Sequence, residues 1–286
     1  SAWIFQWFIN HNIQIKMPDT VPPAVAKSFS ALIPGTVCIF LAGCIYWLFS
    51  WAQWGNLHDV IMNILAKPLG LLGNTLLGTL VSIILVSLFW FVGIHGGNVV
   101  NTAMSPIWLM QTDANRVLNQ SGKLDLAHGG NIITQPFIDN FVYMGGAGAT
   151  LGLVLCVGYL VWKKRASKQN EILAPLTIVP GIFNINEPTM FGLPVVLNLS
   201  LIIPFIIAPM FNAITTYTAM KLGWVPLCNG TVIPWTMPPL ISGFLATNSI
   251  AGSILQLFNI IVDILIYLPF MSALNKRQIV EESRKG

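Results

Sequence analysis

The amino-acid sequence predicts an all-α integral membrane protein with about five transmembrane helices and additional broken, re-entrant hairpins. Of its 286 residues, 55% are hydrophobic and only 8% are charged, whereas a soluble domain carries about 25% charged residues. The charges are clustered, so apolar stretches remain that reach the roughly 20 residues needed to cross a bilayer. These stretches are continuous rather than alternating, which excludes a transmembrane β-barrel.

The basic residues indicate how the chain is oriented. More than half of the 14 Lys and Arg residues fall in two patches, Lys163, Lys164, Arg165 and Lys168 in one and Lys276, Arg277, Arg284 and Lys285 in the other. Cytoplasmic flanks of transmembrane helices are enriched in Lys and Arg. We therefore expect both patches in the cytoplasm, next to a lipid bilayer, and we expect no nucleic-acid partner.

The first elements run from an extramembrane segment to a second span. Residues 1–28 are predicted to be extramembrane, because three prolines between residues 17 and 23 exclude a helix interior. The first span covers residues 29–49 and ends among tryptophans, which favour membrane interfaces. Residues 57–72 are too short and too polar to cross, so we expect an interfacial or re-entrant hairpin there. The second span covers residues 76–94.

The rest of the chain alternates spans with interrupted segments. A polar surface loop is predicted at residues 111–131. Three further spans are predicted, at residues 133–162, 193–220 and 249–274. Prolines and glycines break two apolar segments between these spans, at residues 172–192 and 224–242. Five crossings that end with Lys276 in the cytoplasm place the start of the chain outside and the patch at Lys163 inside.

Glu187 is the acidic residue that most strongly indicates a function, because a carboxylate at membrane depth costs free energy unless it is paired or hydrated. It follows Asn184 and Asn186 in a turn before Pro188. A carboxylate accepts hydrogen bonds, and an amide both accepts and donates them. This array therefore suits a ligand rich in hydroxyl groups. The alternative is that Glu187 only caps exposed amides of a broken helix.

His95 and Trp235 are the other candidate residues. His95 lies with Asn98 in a glycine-rich break at the end of the second span, where an imidazole near a cavity can donate, accept or shuttle a proton. Trp235 lies in the second broken segment, where its indole face can stack on the apolar face of a sugar. The alternatives are a packed histidine and an interfacial tryptophan.

The remaining polar residues receive structural interpretations. Asp263 on the fifth span is expected to form an interhelical hydrogen bond. His11, His58 and His128 are expected in loops. No two histidines have the spacing of metal ligands, and the four cysteines lack a zinc-binding pattern. The sequence therefore predicts neither a metal site nor a cofactor.

Four separated motifs also stand out: KMPDTVPPAVAKSF at residues 16–29, the break at His95, NINEPTMFG at residues 184–192 and PWTMPP at residues 234–239. Together and in this order they resemble the membrane component, EIIC, of the lactose/cellobiose/diacetylchitobiose family of the bacterial phosphotransferase system. The resemblance extends over essentially the whole chain.

The resemblance implies a permease that translocates a disaccharide and presents it to a phosphocysteine on a separate cytoplasmic EIIB component. No phospho-carrier residue is then expected in this chain. Glu187 and Asn186 would bind sugar hydroxyls, His95 would be the catalytic residue beside the hydroxyl that accepts phosphate, and Trp235 would line the pocket. Asn98 and Asn184 complete the expected sugar-binding set.

The resemblance also has consequences for assembly and location. It implies a multi-pass protein of the bacterial cell (cytoplasmic) membrane, with residues 29–286 as the sugar-binding transport domain. The full-length protein would be a homodimer, whose contact is formed by an upstream domain that is largely missing from this chain.

Two other functional classes remain for comparison. In a proton- or ion-coupled secondary sugar transporter, Glu187 and Asp263 would relay protons, and broken helices at the membrane midplane fit that class too. Dependence of uptake on a gradient rather than on phosphoenolpyruvate would distinguish it. A membrane scaffold is disfavoured, because it leaves the polar broken hairpins unexplained.

Overall fold

The computed structural model describes residues 2–15, 18, 29–51, 73–193 and 195–285. The chain divides into two compact units, Ser1–Ala66 and Lys67–Gly286. In the first unit, helix α1 spans Ala2–Asn10 and helix α2 spans Leu32–Trp51, so that α2 covers the predicted first span. Most of the proline-rich segment at residues 17–23 and the whole predicted hairpin at residues 57–72 lie outside the described residues.

The second unit is a bundle of helices of unequal length. Its elements are α3 (Leu76–Phe91), α4 (Gly96–Gln120), a π-helix (Phe137–Val142), α5 (Leu151–Trp162), α6 (Lys168–Ile182), α7 (Glu187–Gly192), α8 (Leu199–Lys221), α9 (Ile241–Thr247) and α10 (Ile250–Lys285). Every regular element within the described ranges is helical, which confirms the predicted fold class.

Two helices of the described residues are long and apolar enough to cross a bilayer, α8 with 23 residues and α10, where the stretch Ile250–Arg284 qualifies. Both coincide with predicted spans. Helix α3 coincides with the second predicted span, but its 16 residues rise only about 24 Å, less than the roughly 30 Å of the hydrocarbon core.

The third predicted span is wrong as a single helix. The π-helix ends at Val142, and α5 begins only at Leu151. Between them Gly145, Gly146 and Gly148 have φ angles of 83°, 94° and 82°, a left-handed conformation that a helix cannot contain. These glycines therefore end the helical segment that was predicted to continue through them.

The predicted surface loop at residues 111–131 is also wrong in its first half, because α4 continues to Gln120. The charged residues of this stretch that lie on the helix are Asp113 and Arg116, which form an exposed ion pair of 2.7 Å. Thr112 and Asn115 are buried on an adjacent face, about 100° around the helix. Amphipathic spacing, rather than overall polarity, decides the structure of this stretch.

The breaks between helices differ in extent from the interrupted segments that were predicted. Residues 93–95 form the break before α4, and His95 is the N-cap of that helix. In the segment 172–192, α6 runs through Pro175 and the break lies at residues 183–186, where Asn184 has a φ of 62°. Residues 222–240 contain no helix, so the predicted interruption at residues 224–242 ends where the next helix begins, at Ile241. Helix α10 extends to Lys285, so it includes the second basic patch.

Helix α10 carries six polar side chains on its buried side, none more than 8% exposed: Gln256, Asn259, Asp263, Tyr267, Asn275 and Gln278. We call this the polar face of α10. Each member forms a hydrogen bond to another segment of the bundle. Polar contacts of this kind hold membrane helices together where apolar packing gives no preference between helix and lipid.

Candidate functional site

All six predicted site residues line one cavity of about 390 Å³ in the second unit: His95, Asn98, Asn184, Asn186, Glu187 and Trp235. The cavity lies where the break before α4, the break before α7 and the π-helix meet. Its volume falls in the range of small-molecule sites, roughly 300–1,000 Å³. The structure thus brings together residues that are 140 positions apart at the extremes, from His95 to Trp235.

The orientation of His95 follows from its position as the N-cap of α4. The backbone N–H of Asn98 donates to His95 Nδ1 at 3.1 Å, so Nδ1 carries no proton and the neutral ring holds its proton on Nε2. The close approach that permits this turn needs Gly96, because a Cβ there would collide with the carbonyl oxygen of Val86.

His95 Nε2 faces the carboxylate of Glu187, with 3.7 Å between Nε2 and Oε1. This distance is longer than a hydrogen bond, which requires about 2.7–3.2 Å. Both side chains are close to half exposed, at 44% and 48%. A hydroxyl group between them can accept a hydrogen bond from Nε2 and donate one to Glu187.

Asn184 lines the cavity, but its amide is committed to the protein. Its Oδ1 accepts from the N–H of Gly145 at 2.7 Å, and its Nδ2 donates to the carbonyl oxygens of Trp235 at 2.6 Å and Met237 at 3.1 Å. Asn184 therefore holds the segment that carries Trp235 against the break before α7. This is a positioning arrangement that the sequence did not predict.

Asn186 is anchored on one side only. Its Nδ2 donates to the carbonyl oxygen of Ala147 at 3.1 Å, and its side chain packs on Gly146, where a Cβ would lie only 2.7 Å from Asn186 Cγ. Gly146 therefore has two reasons to be glycine, this contact and its φ of 94°. Asn186 is the better placed of the two amides to offer its oxygen to a ligand.

Two tryptophans border the cavity, and the sequence predicted only one of them. Trp235 is 55% exposed, so an indole face is accessible. Trp90, at the end of α3, is 2% exposed and lies against His95 with 4.5 Å between ring centroids. Trp90 thus packs against one side of the imidazole at an interplanar angle of 49°, while Trp235 offers an aromatic surface for an apolar ring face.

Gln135, Asp139 and Tyr143 also line the cavity and were not predicted. Gln135 Nε2 donates to both oxygens of Asp139, at 3.0 Å each. The residues lay inside the predicted third span, where no local pattern pointed to a site. The one available signal was an amide and an acid four residues apart in an apolar stretch. The π-helix, a feature often found at functional sites, carries Asp139 into the cavity.

Three polar atoms on the cavity wall are buried without a hydrogen-bond partner among the described residues: Trp90 Nε1, Asn101 Oδ1 and Gln135 Oε1. Each buried polar group left in this state costs roughly 1–3 kcal/mol. One is a donor and two are acceptors, so hydroxyl groups, which both donate and accept, can satisfy all of them.

The charge of the wall limits the class of ligand. The described lining residues include the acids Asp139 and Glu187 but no Lys or Arg. Anionic ligands are normally held by such cations, so the site favours a neutral polyhydroxyl molecule with at least one apolar ring face.

Asp263 and His128 lie elsewhere. Asp263 is fully buried and accepts a hydrogen bond from Asn212 Nδ2 at 3.0 Å, which confirms the predicted interhelical bond between α8 and α10. His128 lies in the loop after α4, as predicted, and its Nδ1 is 2.8 Å from Asp125 Oδ1. Hydrogen bonds from His128 hold the pKa of Asp125 below its ordinary value.

Comparison with known proteins gives a consistent result. The family described as "Phosphotransferase system, EIIC" matches residues 1–209. The lichenan permease IIC component of Bacillus subtilis is 42% identical over 99% of this chain and 61% of its own length. The cellobiose-specific EIIC component of Geobacillus stearothermophilus is 43% identical, again over 99% of this chain and 61% of its own.

A solved structure agrees with both relatives. The crystal structure of the transporter ChbC, the IIC component of the N,N'-diacetylchitobiose-specific phosphotransferase system, matches with a TM-score of 0.70 and 43% identity. It covers 99% of this chain and 64% of its own. The chain therefore spans about three fifths of the length of the relatives it matches.

Proposed function

The chain belongs to the EIIC family of the phosphotransferase system, and we propose that its cavity binds one neutral disaccharide, which the intact permease moves across the membrane and exposes for phosphorylation. The membership makes it a multi-pass protein of the cytoplasmic membrane. We assign the transport domain to residues 29–286, with residues 1–28 as an extramembrane segment. EIIB is the phosphoryl donor, and the homodimer is the expected state of the full-length protein.

The observation that carries this proposal is the gap of 3.7 Å between His95 Nε2 and Glu187 Oε1 beside an exposed indole. A sugar ring stacked on Trp235 can place one hydroxyl in that gap and others against Asn186, Asn98 and the buried unpartnered atoms of the wall. By their names, the relatives are a lichenan permease component, a cellobiose-specific component and the component of an N,N'-diacetylchitobiose-specific system. We propose a disaccharide of the cellobiose, diacetylchitobiose or lactose type.

The geometry favours His95 as the group that orients the sugar hydroxyl and Glu187 as the group that accepts its proton. Because His95 Nδ1 accepts from Asn98 N–H, the Nε2 proton can only be donated, and the imidazole orients the sugar oxygen rather than deprotonating it. Glu187 is then the proton acceptor. The sugar oxygen forms a bond to phosphorus, the bond from phosphorus to the EIIB cysteine sulfur breaks, and the hydroxyl proton passes to Glu187.

The same charges favour departure of the product. A phosphoryl group adds about −1.5 to −2 charges near neutral pH, and it would sit beside Glu187 with Asp139 on the same cavity wall. Like charges in a site of low dielectric repel strongly. Once Glu187 has passed the proton on to solvent, the cavity therefore binds the neutral sugar more tightly than the phosphorylated product.

The coupled-symporter alternative needs a proton relay through Glu187 and Asp263. Asp263 is fully buried, does not line the cavity, and is bonded to Asn212. This separation favours phosphorylation-coupled transport. Uptake by membrane vesicles that follows phosphoenolpyruvate and is insensitive to collapse of the proton gradient is the expected result; the reverse dependence would establish the symporter.

Equilibrium binding of cellobiose, N,N'-diacetylchitobiose and lactose to the purified protein tests the proposal directly. We expect at least one of them to bind, and its 6-phosphate to bind at least tenfold more weakly, since like charges disfavour the product. If none of the three binds, or if the phosphate binds as tightly as the free sugar, the proposed function is wrong.

A further inference from the structure

The connection between α5 and α6 displays three cations without an acidic partner. Lys163, Lys164 and Arg165 follow the last residue of α5, and all three side chains are exposed. None of them forms an ion pair within the part of the chain that the structure describes. We call these three residues the basic turn. It concentrates positive charge at one point of a chain in which only 8% of the residues are charged.

Exposed aromatic side chains border the basic turn. Trp162 is 72% exposed and Tyr159 is 47% exposed. Lys163 Nζ lies 4.3 Å from the centroid of the Trp162 ring and 5.9 Å from that of Tyr159. Exposed Trp and Tyr residues are typical of the boundary between hydrocarbon and lipid headgroups. The cation–π contact holds the ammonium group of Lys163 at this boundary.

Helix α10 leaves the apolar region at the same level as α5. Its apolar run gives way to polar and charged residues after Leu274, and Asn275 Nδ2 donates to the carbonyl oxygen of Arg165 at 2.7 Å. Two adjacent helices therefore change from apolar to polar at one height. A bilayer surface imposes such a change, so the basic turn lies at the depth of the lipid headgroups.

The backbone of the connection is held in place by buried amides of α10. Asn275 Oδ1 accepts from the backbone N–H of Ser167 at 2.8 Å, in addition to the bond with Arg165. Ser167 Oγ donates to Gln278 Oε1 at 3.1 Å. The cations are therefore displayed on a preformed turn, and a ligand that binds them loses little free energy to ordering of the backbone.

Lys164 occupies a backbone conformation that normally selects glycine. Its φ is 53°, and it follows Lys163, the C-cap of α5. Helices that end in this left-handed conformation usually carry glycine at this position, because a Cβ is disfavoured there. The lysine therefore supplies a charge where glycine would suit the turn better. This favours a role for its ammonium group outside the fold.

From these observations we infer that the basic turn binds the phosphate headgroup of an anionic phospholipid, with Trp162 and Tyr159 against the glycerol and the upper acyl chains. Ammonium and guanidinium groups form strong hydrogen bonds to phosphate, and Lys and Arg at a membrane surface attract anionic lipids. A lipid is favoured over a soluble acidic protein, because the exposed aromatic rings beside the cations require an apolar neighbour. The inference does not depend on the sugar or on the proposed function.

Titration of the purified protein in a non-ionic detergent tests the inference, with the melting temperature as readout. The probes are phosphatidylglycerol, phosphatidylcholine, glycerol phosphate and polyglutamate. A ligand that binds only the folded state raises the melting temperature, and we expect phosphatidylglycerol to raise it well above the effect of the other three. An equal rise with phosphatidylcholine or glycerol phosphate would overturn the inference. An equal rise with polyglutamate would assign the basic turn to an acidic protein instead.

The double variant Lys163→Gln/Arg165→Gln removes two charges from the basic turn. Its apparent affinity for phosphatidylglycerol should fall about tenfold or more, because each basic residue at an anionic lipid surface contributes roughly fivefold. Arg277→Gln/Arg284→Gln is the matched control. Both arginines are exposed, and helical spacing places them roughly 160–180° around α10 from Asn275. The affinity of this control should stay within about twofold of the parent.

Equal losses in the two double variants would indicate a diffuse positive field rather than a site, and would overturn the inference. Lys164→Gly is a further variant, which carries the test if the first double variant does not fold. Glycine adopts a positive φ without steric cost, so its melting temperature without added lipid should equal or exceed that of the parent. Its affinity for phosphatidylglycerol should fall roughly fivefold. Parental affinity in this folded variant would contradict the inference.

Discussion

Gln135 and Gln256 lie in two regions of the molecule that differ in how completely the polar side chains are hydrogen-bonded. Gln256, on the polar face of α10, is fully buried. Its Oε1 accepts from the N–H groups of Leu240 and Gly243, and its Nε2 donates to Asn140 O and Ser242 Oγ, at 2.6 to 2.9 Å. Gln135, on the wall of the cavity, uses only its Nε2, and its buried Oε1 has no partner among the described residues.

The contrast holds for the neighbours of each glutamine. On the polar face of α10, Asn259 bonds to Thr215 and Thr216 of α8, and Tyr267 bonds to the carbonyl oxygen of Gly148. On the cavity wall, Trp90 Nε1 and Asn101 Oδ1 remain unpartnered. The contrast is one of degree, because Asp263 Oδ1 and the side-chain oxygens of Asn212 and Asn170 also have no partner within the described ranges.

This difference distinguishes polar groups that stabilise the fold of this apolar chain from polar groups that are available to bind a ligand. A hydrogen bond between two elements is lost when one partner is removed, so these bonds contribute to the stability of the fold. Unpartnered groups on the cavity wall cost the folded protein free energy, and a ligand that hydrogen-bonds to them recovers that cost on binding. Substitutions in the two regions should therefore separate stability from sugar affinity, and the following predictions test that separation.

Glu187→Gln should have the largest effect on function. The amide keeps the volume of the side chain but cannot accept the hydroxyl proton, so phosphorylation at saturating sugar should fall by about 10²–10⁴-fold. Sugar affinity should fall tenfold or more, since a hydrogen bond to a charged group contributes roughly 1.5–3 kcal/mol. The melting temperature should not change. Parental affinity in this variant would remove Glu187 from the site.

Gln256→Leu should have the opposite phenotype. It leaves the partners of four hydrogen bonds unsatisfied, each at a cost of roughly 1–3 kcal/mol, so we expect at least about 3 kcal/mol of destabilisation and a clear fall in melting temperature. The protein that remains folded should bind sugar within about twofold of the parent. Leu257→Met, an exposed neighbour on α10, is the control. An unchanged melting temperature would contradict our division of the molecule.

His95→Asn tests orientation separately from helix capping. Asparagine is a good N-cap, so α4 should stay stable, but the short side chain cannot reach a hydroxyl next to Glu187. Misplacement of a reacting group costs up to about 10²-fold in rate. We expect sugar phosphate formed per bound sugar to fall by that order, and sugar affinity to fall less.

Parallel loss of affinity and rate in His95→Asn would reduce His95 to a binding residue. His95→Ala is the companion variant, since it removes the cap as well as the ring. It should therefore lose about 1 kcal/mol of stability that His95→Asn retains. Thermal melting of the two variants measures this difference.

Trp235→Ala should have a smaller effect on binding, shared by all sugars. Stacking depends on a ring face rather than on a particular hydroxyl. Aromatic contacts contribute about 0.5–1.5 kcal/mol in addition to the free energy of the area they bury. We expect a loss of roughly fivefold to tenfold in affinity for each disaccharide, with partial recovery in Trp235→Phe. Unchanged binding in Trp235→Ala would assign the residue to the membrane interface.

Asp125→Asn should have the smallest effect, confined to stability at the surface. The pKa of Asp125 is lowered by hydrogen bonds from His128, so its carboxylate stabilises the folded state above its ordinary pKa of about 3.9. That contribution is lost as the pH falls through the lowered pKa. The small difference in melting temperature between parent and variant near neutral pH should vanish in strong acid, and sugar affinity should be equal in both.

Much of the fold could be predicted from the distribution of apolar residues. The runs that became α3, α8 and α10 are visible because apolar residues predominate in them for most of a span. The break at residues 145–148 was missed, because glycine permits a left-handed φ without requiring it. The continuation of α4 to Gln120 was missed, because its charges were considered together rather than by their angle around a helix.

The site was predicted in part, for a physical reason. Glu187, His95 and Trp235 occur where a broken helix or a proline makes a polar residue at membrane depth conspicuous. Asp139 lies on a π-helix, whose extra residue per turn changes which side chains face the cavity. The role of Asn184 depends on backbone atoms of Trp235 and Met237, more than 50 residues away, and no local pattern indicates such partners.

The polar face of α10 also sets the permitted length of that helix. One residue inserted between Gln256 and Gln278 would turn everything beyond it by roughly 100° and move it by about 1.5 Å, so every later hydrogen bond would lose its partner at once. An exposed residue such as Ile261 can be exchanged freely, but not duplicated or deleted. Relatives of different length should therefore differ in connections such as residues 222–240, while the count of residues from 256 to 278 stays constant.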